Sequence, residues 1–67
     1  MPEVTINGAP RQFETLPTVA GLLEDMGLIG KRLAVERNGE IVPKSRHGET
    51  QLAPGDQLEI VVAVGGG

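Results

Sequence analysis

The chain has 67 residues, a net charge of −3 and no cysteine. A domain this small buries only about 60 % of the surface its unfolded chain exposes, and the lack of cysteine excludes disulfides, thiolate catalysis and zinc–thiolate sites. The acidic balance, with Phe13 as the only aromatic residue, argues against nucleic acid, which is met by basic patches and stacking platforms.

The core must therefore be aliphatic. The longest apolar run, residues 60–64, is far short of a membrane span. The opening Met1-Pro2-Glu3-Val4 lacks the basic and apolar regions of a secretory signal, so a soluble, cytoplasmic protein is expected.

In chain order, Val4-Thr5-Ile6 alternates apolar and polar and meets Asn7-Gly8, a dipeptide suited to the positive φ angles of a type I′ turn. Residues 11–14 are the expected returning strand, with Phe13 toward the core and Pro10 tolerable at a strand start or an edge. Leu16-Pro17-Thr18 breaks the pattern. Thr18 can cap a helix that carries Val19, Leu22, Leu23 and Met26 at helical spacing, with Glu24 and Asp25 on its polar side and Gly27 to end it. Gly21 within that helix costs about 1 kcal/mol against alanine, which suggests close packing on the sheet.

Residues 33–37 read as a third strand, turned by Asn38-Gly39 into Glu40-Ile41-Val42. Residues 43–48 are polar and irregular, 50–52 form a brief bridging segment, and Pro54-Gly55-Asp56 signals a turn before a last strand over 58–64. One helix has to cover one face of the sheet, because a sheet alone cannot bury its apolar face. The order predicts an α+β domain over residues 1–64. It is the ubiquitin-like β-grasp arrangement, a mixed sheet of about five strands with one main helix on one face. Residues 65–67 form a flexible glycine tail.

The usual chemistry is poorly represented. Ser45 and His47, the only serine and the only histidine, stand two positions apart in a polar loop with no third group to orient a relay. A lone histidine without cysteine does not organise zinc, so no metal site is expected. Asp56 and Glu59 read as ordinary surface carboxylates. No glycine-rich loop follows a strand and opens a helix, which leaves no nucleotide site. No catalytic residue is identified, and an enzyme is not expected.

What remains is Gly65-Gly66-Gly67, directly after a core strand. Without Cβ atoms these residues can enter a narrow channel and adopt angles closed to other residues, and extended they reach roughly 10 Å. A carboxylate is a poor electrophile because its leaving group would be oxide. It needs activation, for example as an acyl-adenylate, before a nucleophile can attack. On the last strand Leu58, Ile60, Val62 and Val64 share one face, which leaves Val61 and Ala63 beside Glu59 on the other as a candidate partner surface. Burial in a β-branched central strand would explain the same two residues equally well.

Ile6-Asn7-Gly8, Thr18-Val19-Ala20 with Leu22-Leu23, the run from Leu33 through Glu36-Arg37-Asn38-Gly39-Glu40 to Pro43, Gly55-Asp56 with Leu58-Glu59-Ile60-Val61, and the ending Ala63-Val64-Gly65-Gly66-Gly67 together resemble the ThiS family, the sulfur carriers of thiamin biosynthesis. The resemblance implies a ubiquitin-like β-grasp fold. It also implies a cycle in which an E1-like adenylyltransferase uses ATP to adenylate the Gly67 carboxylate. Sulfur from a cysteine desulfurase or a sulfurtransferase then converts the adenylate to a thiocarboxylate, and thiazole synthase takes the sulfur. By that pattern Gly67 is the modified residue, Gly65 and Gly66 serve tail recognition, and no cofactor is bound by the chain itself. One departure is visible: where the family carries a Trp or Tyr just after the Lys44-Ser45-Arg46 position, His47-Gly48 stand here, so no partner contact is carried over to this loop. The alternatives are a carrier of the molybdopterin or tRNA-thiolation type, a protein-conjugating modifier, or a β-grasp binding module with a passive tail.

Overall fold

The computed structural model describes residues 1–63. Its elements are β1 (Glu3–Ile6), β2 (Ala9–Gln12), α1 (Val19–Asp25), β3 (Leu33–Arg37), β4 (Glu40–Val42), a 3₁₀ turn (Lys44–Arg46) and β5 (Gln57–Val62). The five strands form one sheet in the order β2-β1-β5-β3-β4. The β1–β5 pair is parallel, and the β1–β2, β3–β4 and β3–β5 pairs are antiparallel. This is the expected mixed sheet with one helix.

Both hairpins turn on Asn-Gly, with Asn7 at φ 51° and Asn38 at φ 52°, in the left-handed region that asparagine tolerates better than other side chains. The first hairpin is tighter than expected. Its return strand is Ala9–Gln12 and not 11–14, because the two-residue turn pairs Ile6 directly with Ala9. Phe13 lies past the strand end, partly buried against the core, with the Arg11 guanidinium 5.4 Å from its ring centre. Arg11 also pairs with Asp25 of the helix.

Helix α1 is closed at both ends. Thr18 Oγ1 accepts the Gly21 N–H at 3.1 Å, while the Val19 and Ala20 N–H groups donate to Thr50 and His47 carbonyls at 2.9 and 2.8 Å. The donors left over by helix geometry are thus met by the loop that precedes β5. At the other end Gly27 sits at φ 72°, with Leu28 N–H donating to Leu23 and Gly27 N–H to Glu24, a Schellman closure. The close approach at Gly21 is not to the sheet. A Cβ there would meet Pro17 Cβ at 3.1 Å, so glycine admits the chain leading into the helix.

Val19, Leu22 and Leu23 of the helix pack with Val4, Ile6, Val35, Val42, Leu58 and Ile60 of the sheet, and Leu52 completes the buried set. The core is aliphatic throughout. Residues 43–48, read as irregular, contain the 3₁₀ turn, and the expected bridge at 50–52 is a single pairing of Gln51 with Thr18.

Candidate functional site

The central strand β5 has β1 on one side and β3 on the other. Its backbone groups alternate between these neighbours: Asp56 and Leu58 carbonyls accept from Thr5 and Asn7, whereas the Gln57 carbonyl accepts from Asn38. Where β1 ends, the Asn7 side chain continues the pairing. Its Oδ1 accepts the Ile60 N–H at 2.7 Å and its Nδ2 donates to the Ile60 carbonyl at 3.1 Å. Past the strand, Ala63 N–H donates to the Arg32 carbonyl at 2.8 Å. The expected last strand over 58–64 is therefore held through Val62 and anchored once more at Ala63. Val64 and the tail residues Gly65, Gly66 and Gly67 lie outside the described residues.

Because α1 covers the face of Leu58 and Ile60, the other face of the sheet is open. Val61 is 63 % exposed there, and Ala63 is exposed. Val61 faces Ala34 across the β3–β5 pair, and Ile41 of β4 lies beyond Glu36, 67 % exposed. Ile41 is a further exposed apolar residue on this face, in register with Glu36 and Glu59. Its exposure was open to inference from the sequence, since Val42 points into the core and a strand alternates. Glu36 and Glu59 are direct cross-strand partners on this face, with Glu3 farther along it.

Asp56 is not the surface carboxylate expected from its turn; it is 6 % exposed. Its oxygens accept from Arg37 Nε at 2.8 Å, Asn38 Nδ2 at 3.0 Å and Ala53 N–H at 2.8 Å. Asn38 Oδ1 in turn accepts the Gln57 N–H at 2.9 Å. Burial pushes the Asp56 carboxyl up, but the hydrogen bonds from Ala53, Arg37 and Asn38 and the Arg37 charge outweigh it and hold the pKa below the usual carboxylate value. This network ties the β3–β4 turn to the start of β5. Glu59, by contrast, is exposed as expected.

Ser45 is exposed in the 3₁₀ turn, while His47 is half-buried with Nε2–H donating to the Val42 carbonyl at 3.1 Å. No hydrogen bond joins His47 to Ser45 among the described residues, so no relay is assembled. His47 and Gly48 instead border a cavity of about 260 Å³ between the 3₁₀ turn, α1 and the α1–β3 loop. No helix among the described residues is long and apolar enough to cross a membrane.

A mixed five-stranded sheet with one helix on one face and a central last strand leading to the C-terminus defines a β-grasp domain. The ThiS family model matches residues 4–67, and the chain belongs to that family. It is 46 % identical over 50 residues to the sulfur carrier protein ThiS of Bacillus subtilis, covering 75 % of this chain and 76 % of that one. It is also 46 % identical over 65 residues to a thiazole synthase of Paramagnetospirillum magneticum, covering 97 % of this chain but 20 % of that protein. The chain thus spans one fifth of the length of that relative. Among solved structures, the thiamine biosynthesis protein ThiS from Geobacter metallireducens superposes with a TM-score of 0.81 at 28 % identity, over 97 % of this chain and 99 % of that one.

Proposed function

We propose that this protein is a sulfur carrier of thiamin thiazole biosynthesis whose reacting group is the carboxylate of Gly67. The observation that carries the reading is the placement of β5. It is the central strand, clamped at Ile60 by Asn7 and at Ala63 by Arg32, so the residues after it leave from a rigid root. A rigid root with a side-chain-free extension suits a carboxylate presented to another protein's active site.

The chemistry follows from the carboxylate. A terminal oxygen attacks the α-phosphorus of ATP on an E1-like adenylyltransferase, and pyrophosphate leaves. A sulfur nucleophile at the hydrosulfide oxidation level, derived from a cysteine desulfurase or a sulfurtransferase, then displaces AMP and leaves a thiocarboxylate. Thiazole synthase is the proposed acceptor, a reading supported by the match of nearly the whole chain to part of one. The chain is a co-substrate in this cycle, binds no cofactor of its own, and meets these enzymes in the cytoplasm. Val61 and Ala63 on the open face are the proposed partner surface, and Gly65 and Gly66 the residues read by the channel.

The test is intact mass spectrometry after incubation with ATP, the adenylyltransferase and a sulfur source. One oxygen replaced by sulfur, localised to Gly67, is the expected result. An unmodified terminus, under conditions that modify a known carrier, would overturn the proposal and favour a β-grasp binding module with a passive tail.

A further inference from the structure

Among the described residues, four cations of this small domain stand outside its ion pairs. Of its six lysines and arginines, Arg11 pairs with Asp25 and Arg37 with Asp56. The remaining four, Lys31, Arg32, Lys44 and Arg46, have no ion-pair partner among the described residues. All four lie on two segments, the α1–β3 loop and the 3₁₀ turn. The open sheet face has the opposite character, carrying Glu3, Glu36 and Glu59. Arg46 borders a separate hollow with Arg37 and Glu40, whereas Lys31 and Lys44 stand at one place.

That place is hollow and apolar. Between the two cationic segments lies the cavity of about 260 Å³, walled by Leu23, Leu28, Ile29 and Leu33, with Lys31 and Lys44 among its lining residues. Ile29 is 59 % exposed. An apolar cavity of about 150 Å³ accepts a benzene ring, so this one has room for an aromatic side chain. Its wall is also next to the root of the tail, because Leu33 pairs with Val62 and the Arg32 carbonyl holds Ala63. An enzyme that encloses the residues after Ala63 has to pass beside it.

We infer that this cavity is a second docking site, separate from the open sheet face, for the adenylating enzyme that acts on the tail. It receives an aromatic side chain carried on an acidic segment, whose carboxylates meet Lys31 and Lys44. The inference rests on the carrier reading above, which supplies the enzyme. The lysines steer and orient the segment, and the apolar walls take the anchor.

The experiment measures thiocarboxylate formation as a function of adenylating-enzyme concentration for the wild type, a Lys31→Glu/Lys44→Glu variant and a His47→Trp variant. The last fills the cavity from within. Circular dichroism checks that each is folded. Both variants are expected to raise the half-saturating enzyme concentration about tenfold or more while leaving the maximal rate within twofold, since like charge or a blocked pocket opposes docking and leaves the tail intact. The salt dependence of the half-saturating concentration should flatten in the double lysine variant. Folded variants with unchanged half-saturating concentrations overturn the docking site while the carrier reading stands. A wild-type dimer that the lysine substitutions convert to monomer also overturns it, assigning the cavity to a second copy. A wild-type chain unmodified at every enzyme concentration removes the carrier reading and this inference with it.

Discussion

The Asn7 side chain holds Ile60 by both backbone groups, accepting its N–H at 2.7 Å and donating to its carbonyl at 3.1 Å. One residue thus turns the first hairpin and continues the parallel pairing of β1 with β5 past the end of β1. Asn38 plays the corresponding part on the other side, accepting the Gln57 N–H. The strand that leads to the tail is fastened by the two turns as well as by its neighbours.

Replacing Asn7 with alanine removes both bonds and places a β-carbon with no hydrogen-bonding partner at φ 51°. A loss of about 2 kcal/mol is expected, which in a domain of this size lowers Tm by about 10 °C. Thermal unfolding followed by circular dichroism measures it; a Tm within 3 °C, roughly, of the wild type would show that the clamp contributes nothing.

Asp56 gives the fold a pH dependence of definite sign. Its pKa is lower folded than unfolded, so between the two values the unfolded chain binds more protons and stability rises with pH. The stabilisation is complete above the unfolded value, about 3.9, and is lost as pH falls through the folded one. Asp56→Asn should cost about 2–4 kcal/mol at neutral pH, by leaving the half-buried Arg37 without its carboxylate. It should also flatten the acid limb of a urea-denaturation series across pH. An acid limb unchanged in Asp56→Asn would assign it to other carboxylates.

Val61→Lys tests the open face. Val61 is exposed and packs only along the surface, so the fold should change by less than about 0.5 kcal/mol. Binding to the adenylating enzyme should weaken about fivefold or more if this face is buried in the complex. Binding by surface plasmon resonance beside thermal unfolding separates the two effects; undiminished binding would remove Val61 from the interface.

Deleting Gly66 and Gly67 tests the tail. The truncation keeps the buried core and the clamps at Ile60 and Ala63, so the fold should persist, while sulfur transfer to thiazole synthase should be abolished. Retained transfer, read as thiazole product, would show that the tail does not carry the sulfur.

Much of the fold was legible in the chain because its signals are local. The two Asn-Gly pairs mark turns by their backbone preferences. Thr18 and Gly27 mark the helix ends, and the alternation along 58–63 separates a core face from an open one. The open face at Val61 and Ala63 follows from that alternation once a single helix is known to cover one side. Gly65-Gly66-Gly67 stands out in the sequence because composition and position are both written there.

The tertiary structure decided what depends on partners distant in the chain. Asp56 reads as a turn residue because nothing in its neighbourhood announces Arg37 and Asn38, which the β3–β5 pairing brings to it. The clamp between Asn7 and Ile60 joins residues 53 positions apart. The cavity beside His47 exists because the 3₁₀ turn, near the start of the helix, and the α1–β3 loop, at its end, border the same side of it although they are remote in sequence. The sequence by itself determined the elements and their order, since these rest on backbone preference and periodicity. Only the folded molecule decided which charges are buried, which cations remain uncommitted and which of them line the cavity, because burial and pairing depend on what the fold brings together.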